Sequence, residues 1–494
     1  MEMEEARKSP RVRLVNRRQL LMRTIDVERL IEEDHPARAV WEFTGRLDLS
    51  RYYEEIEAVE GVAGRSALDP RMMMSVWIYA YSEGVGSARE IARLCQYHPA
   101  YQWLTGMQSI NHHSLSDFRV RNHEQLDEVF VNALGLLSAE GLITLERVTQ
   151  DGTKIKANAG GDTFRREEHI RKHLEMAQQQ LEAMGDPESE EVSLRRAKAR
   201  QRVVRERQQR LASALQELER LKAEKEGEIR VSTTDPEARV MKQPDGGFAP
   251  SYNTQICTDA AQGVIVAVEV TQAGNDFGQL VRGVESVEEN LGRPPDQVVA
   301  DGGFTTRENI LEMADRHIDF IGSLSTGDGT NRLKALGVDP AFYPDAFIYN
   351  PGDNTYTCPA GNTLKIHGKE KLTGYTVFRY QAQASDCQAC PFKAQCCPKS
   401  KKGRGVTRRE DAPVVAAFID KMNTDTAKEI YRQRSRLAEF PNAWIKDKIG
   451  LRQFSVRGLL KAGMEALWAC LTYNIQVWIR LRWRQQSFQG VVSS

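Results

Sequence analysis

The sequence predicts an α+β or α/β fold: a mixed sheet flanked by helices, with a helical N-terminal part, a coiled-coil-like helical insertion and a Cys-rich insertion. Three observations predict it. β-branched, alternating stretches recur at 143–156, 252–257, 264–270, 298–300 and 318–322, with helical patterns between the later ones. Residues 163–228 are dominated by Arg, Lys, Glu, Gln, Leu and Ala, the composition of a helical hairpin or coiled coil. Five of the eight cysteines, Cys358, Cys387, Cys390, Cys396 and Cys397, crowd into one region.

The elements follow in order. Residues 1–25 read as a basic arm, with Lys8, Arg11, Arg13, Arg17 and Arg18 and little apolar periodicity. Residues 26–140 read as a helical N-terminal domain, a candidate for DNA binding. Asp69-Pro70 opens a run of Met and aliphatic residues. Ser87 and Glu90 form a capping box, Pro99 ends that helix, and Ser114 with Asp117 starts another. The first part of the sheet core falls at 141–162, with a strand ending at or beyond Asp151. The helical hairpin occupies 163–228, with Gly185-Asp186-Pro187 as its break. The core continues over 229–322: an antiparallel pair around the turn Ala260–Gly263, a helix from about Asp276 to Leu291 capped by Asn275 or Asp276, a short apolar strand, Val298-Val299-Ala300, ending at Asp301, a helix capped by Thr305 or Thr306, and a strand at 318–322. Over 323–420 the strand pattern lapses into the Cys-rich insertion. Residues 421–485 are C-terminal helices, and 486–494 are a frayed tail.

Composition narrows the classes. The 494 residues suffice for roughly two to four domains. Lys and Arg number 68 and so do Asp and Glu, so uniform basicity is excluded and any nucleic-acid surface must come from local segregation of charge. The first residues lack the apolar stretch of a secretory signal. The apolar stretch 459–479 carries Lys461, Glu465, Asn474 and Gln476, which suits a buried helix rather than a bilayer. A cytoplasmic protein with no membrane partner is expected.

Three acids carry the candidate chemistry. Asp151 precedes Gly152, with Lys154 and Lys156 just beyond. Asp301 follows an apolar strand and precedes Gly302 and Gly303. Glu439 lies in a helical stretch with Arg432, Arg436 and Lys446, with Glu429 as a nearby competitor for the same role, and Pro441 should kink that helix or start a new turn. Carboxylate oxygens are what Mg²⁺ and Mn²⁺ prefer, and such ions suit phosphoryl transfer. Each acid alone also fits an ordinary turn or a surface ion pair.

The segment Asp-Gly-Thr-Lys-Ile-Lys-Ala-Asn at 151–158 resembles the first-acid motif of DDE transposases from bacterial insertion sequences. Val-Val-Ala-Asp-Gly-Gly-Phe-Thr-Thr-Arg-Glu-Asn at 298–309 is similar to their second-acid motif. Tyr431, Arg434, Glu439 and Lys446 resemble the family's Tyr-Arg-Glu-Lys signature, followed by Leu451–Gly458, Glu465 and Asn474. Tyr252–Gln255 and Asp276 also match common positions. The chain departs from the pattern at Phe304, where Tyr is commoner, and in a gap between Arg434 and Glu439 one residue longer than usual. The resemblance implies an RNase H-like core in which Asp151, Asp301 and Glu439 are catalytic and bind Mg²⁺ or Mn²⁺. It implies cleavage of element ends and strand transfer by 3′-hydroxyl attack. Lys154, Lys156, Arg434, Arg436 and Lys446 would hold double-stranded DNA, both terminal inverted repeats and target. A homodimer or higher assembly on DNA follows from the need to hold two ends. The rival readings are an inactive or domesticated DNA-binding relative and a metal-dependent nuclease without strand joining.

Cys358, Cys387, Cys390 and Cys396 supply four thiolates, with Cys397 as an alternative to Cys396. This is the number a structural Zn²⁺ needs. Reduced cysteines in a loop are the plain alternative. Lys393, Lys399, Lys401, Lys402, Arg404, Arg408 and Arg409 surround them and could present cations to DNA. Cys95, Cys257 and Cys470, and the tryptophans Trp444, Trp468, Trp478 and Trp483, read as core or partner-face residues. His112 and His113 read as solvent-exposed.

Overall fold

The computed structural model describes residues 17–18, 20, 22, 24–58, 66–184, 191–224, 226–325 and 330–485. Most of the basic arm, the Gly185-Asp186-Pro187 break and the tail lie outside the described residues.

The N-terminal helices are α1 (Pro36–Thr44), α2 (Ser50–Glu54), α3 (Pro70–Ser82), α4 (Ala88–Tyr97), α5 (Pro99–Thr105), α6 (His112–Arg121) and α7 (His123–Ala139). Local chemistry sets their starts. The Asp69 side chain accepts from Arg71 N–H, and Pro70 fills the first turn of α3. Ser87 accepts from Glu90 N–H, so the expected cap of α4 forms. Pro99 not only follows α4 but opens α5. α6 starts at His112, earlier than expected, because the Asn111 side chain caps it through His113 N–H at 2.9 Å. The His112 and His113 rings pack 4.1 Å apart at that start, with His113 exposed.

The central sheet and its helices come next: β1 (Val148–Lys156), β2 (Phe164–Arg165), α8 (Glu167–Met184), α9 (Glu191–Glu224), β3 (Val231–Ser232), β4 (Arg239–Lys242), β5 (Phe248–Asp259), β6 (Ile265–Thr271), α10 (Leu280–Leu291), β7 (Gln297–Ala300), α11 (Arg307–Asp315) and β8 (Asp319–Gly322). The sheet order is β4-β5-β1-β7-β8, with β6 also on β5. β1, β5 and β6 form an antiparallel meander. β7 and β8 add in parallel, fed by the α10 and α11 crossovers. Three antiparallel strands followed by two parallel ones is the RNase H-like arrangement. α8 and α9 pack as a hairpin around Ile170, Ala177, Leu211, Ala214 and Leu218. α10 begins at Leu280 rather than Asp276, whose side chain is engaged on β5 instead of capping a helix. Thr306 is the cap of α11, through Asn309 N–H.

Beyond β8 the chain forms α12 (Thr330–Ala335), β9 (Ile348–Asn350), β10 (Thr355–Thr357), β11 (Thr363–Leu372), β12 (Tyr375–Ala382), α13 (Ala384–Gln388), α14 (Lys393–Cys396) and β13 (Gly405–Asp411). The strands make a second, antiparallel sheet in the order β13-β12-β11-β10-β9. Here the structure departs from the lapse of strand pattern read over 323–420. β11 reads Thr-Leu-Lys-Ile-His-Gly-Lys-Glu-Lys-Leu and buries only Leu364 fully, so it leaves little alternation to detect.

The chain closes with α15 (Pro413–Met422), α16 (Asp425–Asp447), α17 (Leu459–Trp478) and a π-helical turn at Ile479–Trp483. α16 runs through Pro441 and continues to Asp447 rather than restarting there. α17 is buried as expected, and its polar residues are matched. Asn474 accepts from Ile265 N–H at 2.8 Å and donates to Ile265 C=O at 2.7 Å. Glu465 accepts from Ser455 N–H and Oγ and pairs with Arg119 at 3.4 Å. Among the described residues no helix is long and apolar enough to cross a membrane. One hydrophobic core joins α1, α3 and α7 to β1, β5, β6 and α17, including Trp77, Trp468 and Trp478.

Candidate active site

The parallel pairing of β1 with β7 positions the first two acids. Val148, Thr149 and Gln150 sit opposite Val298, Val299 and Ala300. The next residues in that register are Asp151 and Asp301. Neighbouring strands run about 4.8 Å apart, so the two carboxylates leave the sheet side by side where the parallel ladder ends. Asp151 is mid-strand, because β1 continues along β5 to Lys156. Asp301 is the first residue of the β7–α11 turn. Gly303 N–H donates to Asp301 Oδ1 at 2.7 Å, and Thr305 Oγ1 donates to the Asp301 carbonyl at 2.8 Å. Phe304, where the family more often has Tyr, is fully buried among Leu280, Ile310 and Phe320, a place with no need of a hydroxyl.

Asp151 is held at both oxygens. Gly152 N–H donates to Oδ1 at 3.0 Å and Asn442 Nδ2 to Oδ2 at 2.9 Å. Burial pushes its carboxyl up to about 6; the Arg434 guanidinium opposes this and the Asp301 charge adds to it. Lys446 responds in reverse: burial lowers its ammonium, and Asp151 partly restores it. Arg434, Asn442 and Lys446 therefore share the face of α16 that covers the acids, as their spacing of four and eight residues requires.

Sequence reasoning missed Asn442. It lies one residue beyond Pro441, and nothing in its local pattern marks it. Asp276, read from sequence as a candidate helix cap, sits in the same place. Its Oδ1 accepts from Asn253 Nδ2 at 2.8 Å and Gln255 Nε2 at 2.7 Å. Both amides come from β5, opposite Lys154 and Gly152 of β1.

The other predicted residues are spread more widely. Glu439 is on α16, one turn before Asn442, and is exposed. Among the described residues no group of three or more His, Cys, Asp or Glu stands arranged to hold a metal ion. The structure thus brings Asp151 and Asp301 together and leaves Glu439 facing solvent nearby. Lys154 is half-buried, whereas Lys156 and Arg436 are exposed. The donor set still suits a hard cation. It is all oxygen, Asp151 resists ionisation, and buried amide oxygens beside it lack partners: Asn253 Oδ1, Gln255 Oε1 and Asn442 Oδ1.

The cysteines form a separate cluster. Cys358, Cys387, Cys390, Cys396 and Cys397 line one small cavity below the second sheet. Asn362 N–H points at Cys358 Sγ at 3.2 Å and Arg404 N–H at Cys387 Sγ at 3.4 Å. Burial pushes the Cys396 thiol up to about 12. Two of the surrounding cations are engaged in the fold. Arg404 is buried and donates to Phe342 C=O, while Arg408 lies over the Tyr349 and Phe378 rings. Cys95, Cys257 and Cys470 are buried, as read from sequence.

An RNase H-like sheet with two acids side by side where its parallel ladder ends is an arrangement found in nucleic-acid-processing proteins. Comparison makes this specific. Residues 357–479 match the model of the transposase DDE domain, and residues 25–121 match the transposase domain DUF772. Both matches are to transposase domains and support a DDE-type transposase of an insertion-sequence family. The DDE match contains Glu439 but neither aspartate. Among solved structures, a cryo-EM structure of a piggyBac transposase synaptic complex with hairpin DNA aligns at 8% identity and a TM-score of 0.27, covering 92% of this chain and 82% of that chain. No curated protein matches the chain.

Proposed function

We propose that this transposase cuts double-stranded DNA at the terminal inverted repeats of its element and joins the released 3′-hydroxyl to target DNA, using Mg²⁺ or Mn²⁺. The observation that carries the reading is the register that sets Asp151 and Asp301 side by side at the end of the parallel ladder. A divalent cation there would supply activation of the attacking oxygen and stabilisation of the leaving one. The chain's own residues do the rest. Asn442 and Gly152 N–H fix the Asp151 carboxylate, and Gly303 N–H fixes Asp301. Glu439 is the third acid. It lies about 60° round the helix from Asn442, and its longer side chain turns inward when a cation draws it. Arg434, beside Asp151, and Lys446 hold the DNA backbone close to the acids. Lys154, Lys156 and Arg436 extend that contact along the duplex. The protein acts as a homodimer or larger assembly, one copy at each element end. Cys358, Cys387, Cys390 and Cys396 or Cys397 hold a structural Zn²⁺ that braces the second sheet.

The test is alanine at each acid, with binding and cutting measured separately on DNA carrying the element's ends. Asp151→Ala, Asp301→Ala and Glu439→Ala should each lower cation-dependent cleavage by more than about 100-fold while retaining a gel shift. A wild-type protein that binds the duplex and leaves it uncut overturns the catalytic reading. Cutting without joining leaves a nuclease, and full cleavage by Glu439→Ala removes that residue from the site.

A further inference from the structure

The mechanism above leaves Asp276 unused, yet its carboxylate stands between the two aspartate stations. Both Asn253 and Gln255 donate to Oδ1. Oδ2 receives no hydrogen bond among the described residues. The neighbouring glycines show how close it comes. A Cβ at residue 152 would collide with Asp276 Oδ1 and the Gln255 amide. A Cβ at residue 303 would stand 2.9 Å from Asp301 Oδ1 and 3.6 Å from Asp276 Oδ2. One oxygen of Asp276 is therefore fixed by amides beside Asp151, and the other faces Asp301 across the space that Gly303 leaves open.

A second observation is independent of the acids. Asn253 is 1% exposed and Gln255 3%, and each has a buried amide oxygen without a partner, Oδ1 and Oε1. A buried acceptor left unpaired is costly. Two of them beside one carboxylate mark a place built to receive a positive group or the water around it.

We infer that Asp276 is a further cation-holding carboxylate of this site, sharing with Asp301 the divalent ion of the proposed reaction. The inference rests on that proposal. It also accounts for two amides on one oxygen: they orient the group so that its other oxygen faces Asp301.

The test uses the full chain without DNA, titrated with Mn²⁺ and followed by melting temperature. Asp276→Asn keeps the shape and an acceptor for Asn253 and Gln255 but removes the charge. It should need about 10–100-fold more Mn²⁺ to reach half the melting shift. Asp276→Glu should recover part of the loss. With DNA, the Mn²⁺ concentration for half-maximal cleavage should move in the same direction, with activity rescued at high Mn²⁺. Should the Asn variant not fold, Asp276→Ser is read in the same way. An unchanged Mn²⁺ midpoint in the variant overturns the inference, even with a lower metal-free melting temperature, because Asp276 would then be purely structural. A wild type that takes no Mn²⁺ in either measurement overturns the cation site as a whole, which is a different result.

Discussion

Burial works against charge at Asp151, and its neighbours answer only part of the cost. The carboxyl is pushed from 3.8 up to about 6, chiefly by desolvation, with Arg434, Asn442 and Gly152 N–H pulling the other way. A raised folded value means that the ionised group opposes folding. The penalty is complete above about pH 6, shrinks as pH falls toward the unfolded value near 3.8, and is absent below it. Asp151→Asn should therefore stabilise the protein in chelator at pH 7.5, by on the order of 2 kcal/mol. That gain should fade by pH 4. Urea denaturation at the two pH values checks it, and an Asn variant no more stable than wild type at pH 7.5 contradicts the electrostatic account. Legibility at this scale divides along the same physics. Asp151 and Asp301 drew notice through the glycines after them and the lysines beyond Asp151, but each alone also fits an ordinary turn, and the resemblance of their flanking motifs is what singled them out. Asn442 could not, since its role arises only when α16 crosses the sheet. Asp276 looked like a helix cap because Asn-Asp before an apolar run has that local meaning. The long-range bonds from Asn253 and Gln255 override it.

Elements were legible where burial imposed a period. α17 stood out because its apolar surface is nearly continuous, and its polar exceptions are the residues that tie it down. Asn474 satisfies both backbone groups of Ile265 on β6, and Glu465 receives Arg119 from α6. Five of the six strands of the central sheet were found for the same reason: β5 is buried along most of its length and β7 is wholly apolar after Gln297, whereas the short edge strand β4 was missed. The second sheet was missed because β11 exposes most of its residues. So solvated a sheet needs bracing, and its small core, from Phe342 and Phe347 to Tyr380, borders the cysteine cavity. If zinc braces it, the purified protein should carry about one Zn²⁺ per chain, since four thiolates satisfy one ion. Removing that zinc should then lower the melting temperature, and Cys387→Ser should reproduce the loss. Zinc-free protein with an unaltered melting curve would falsify the brace and leave five reduced thiols in an apolar pocket.

At the scale of the whole molecule, the N-terminal helices and the central sheet share one core through α17. The DUF772 match ends at residue 121, which invites a cut just beyond α6. The core does not respect that division. Phe43 packs on Trp478 with ring centroids 5.0 Å apart, and Trp77 lies 6.5 Å from Trp468. Trp468 Nε1 donates to Arg119 C=O at 3.2 Å, and Trp483 Nε1 to Glu42 at 2.9 Å. Arg119 itself reaches Gly86 C=O and Glu465, so the cut would leave Glu465 buried without its cation. Losing one partner of a buried pair costs about 3–5 kcal/mol, and each large core side chain exposed adds to that. A fragment of residues 122–494 should therefore fail to fold cooperatively alone, with tryptophan emission shifted toward that of solvent-exposed rings. Co-expression with residues 1–121 should restore a soluble complex that emits like the intact chain. The physical reason is that α17 has two partners, with α3, α6 and α7 on one side and β6 on the other, so a helix buried all round loses one whole wall. A 122–494 fragment that unfolds in a single sharp transition, with native-like emission, would show that the sheet and α17 suffice as a core.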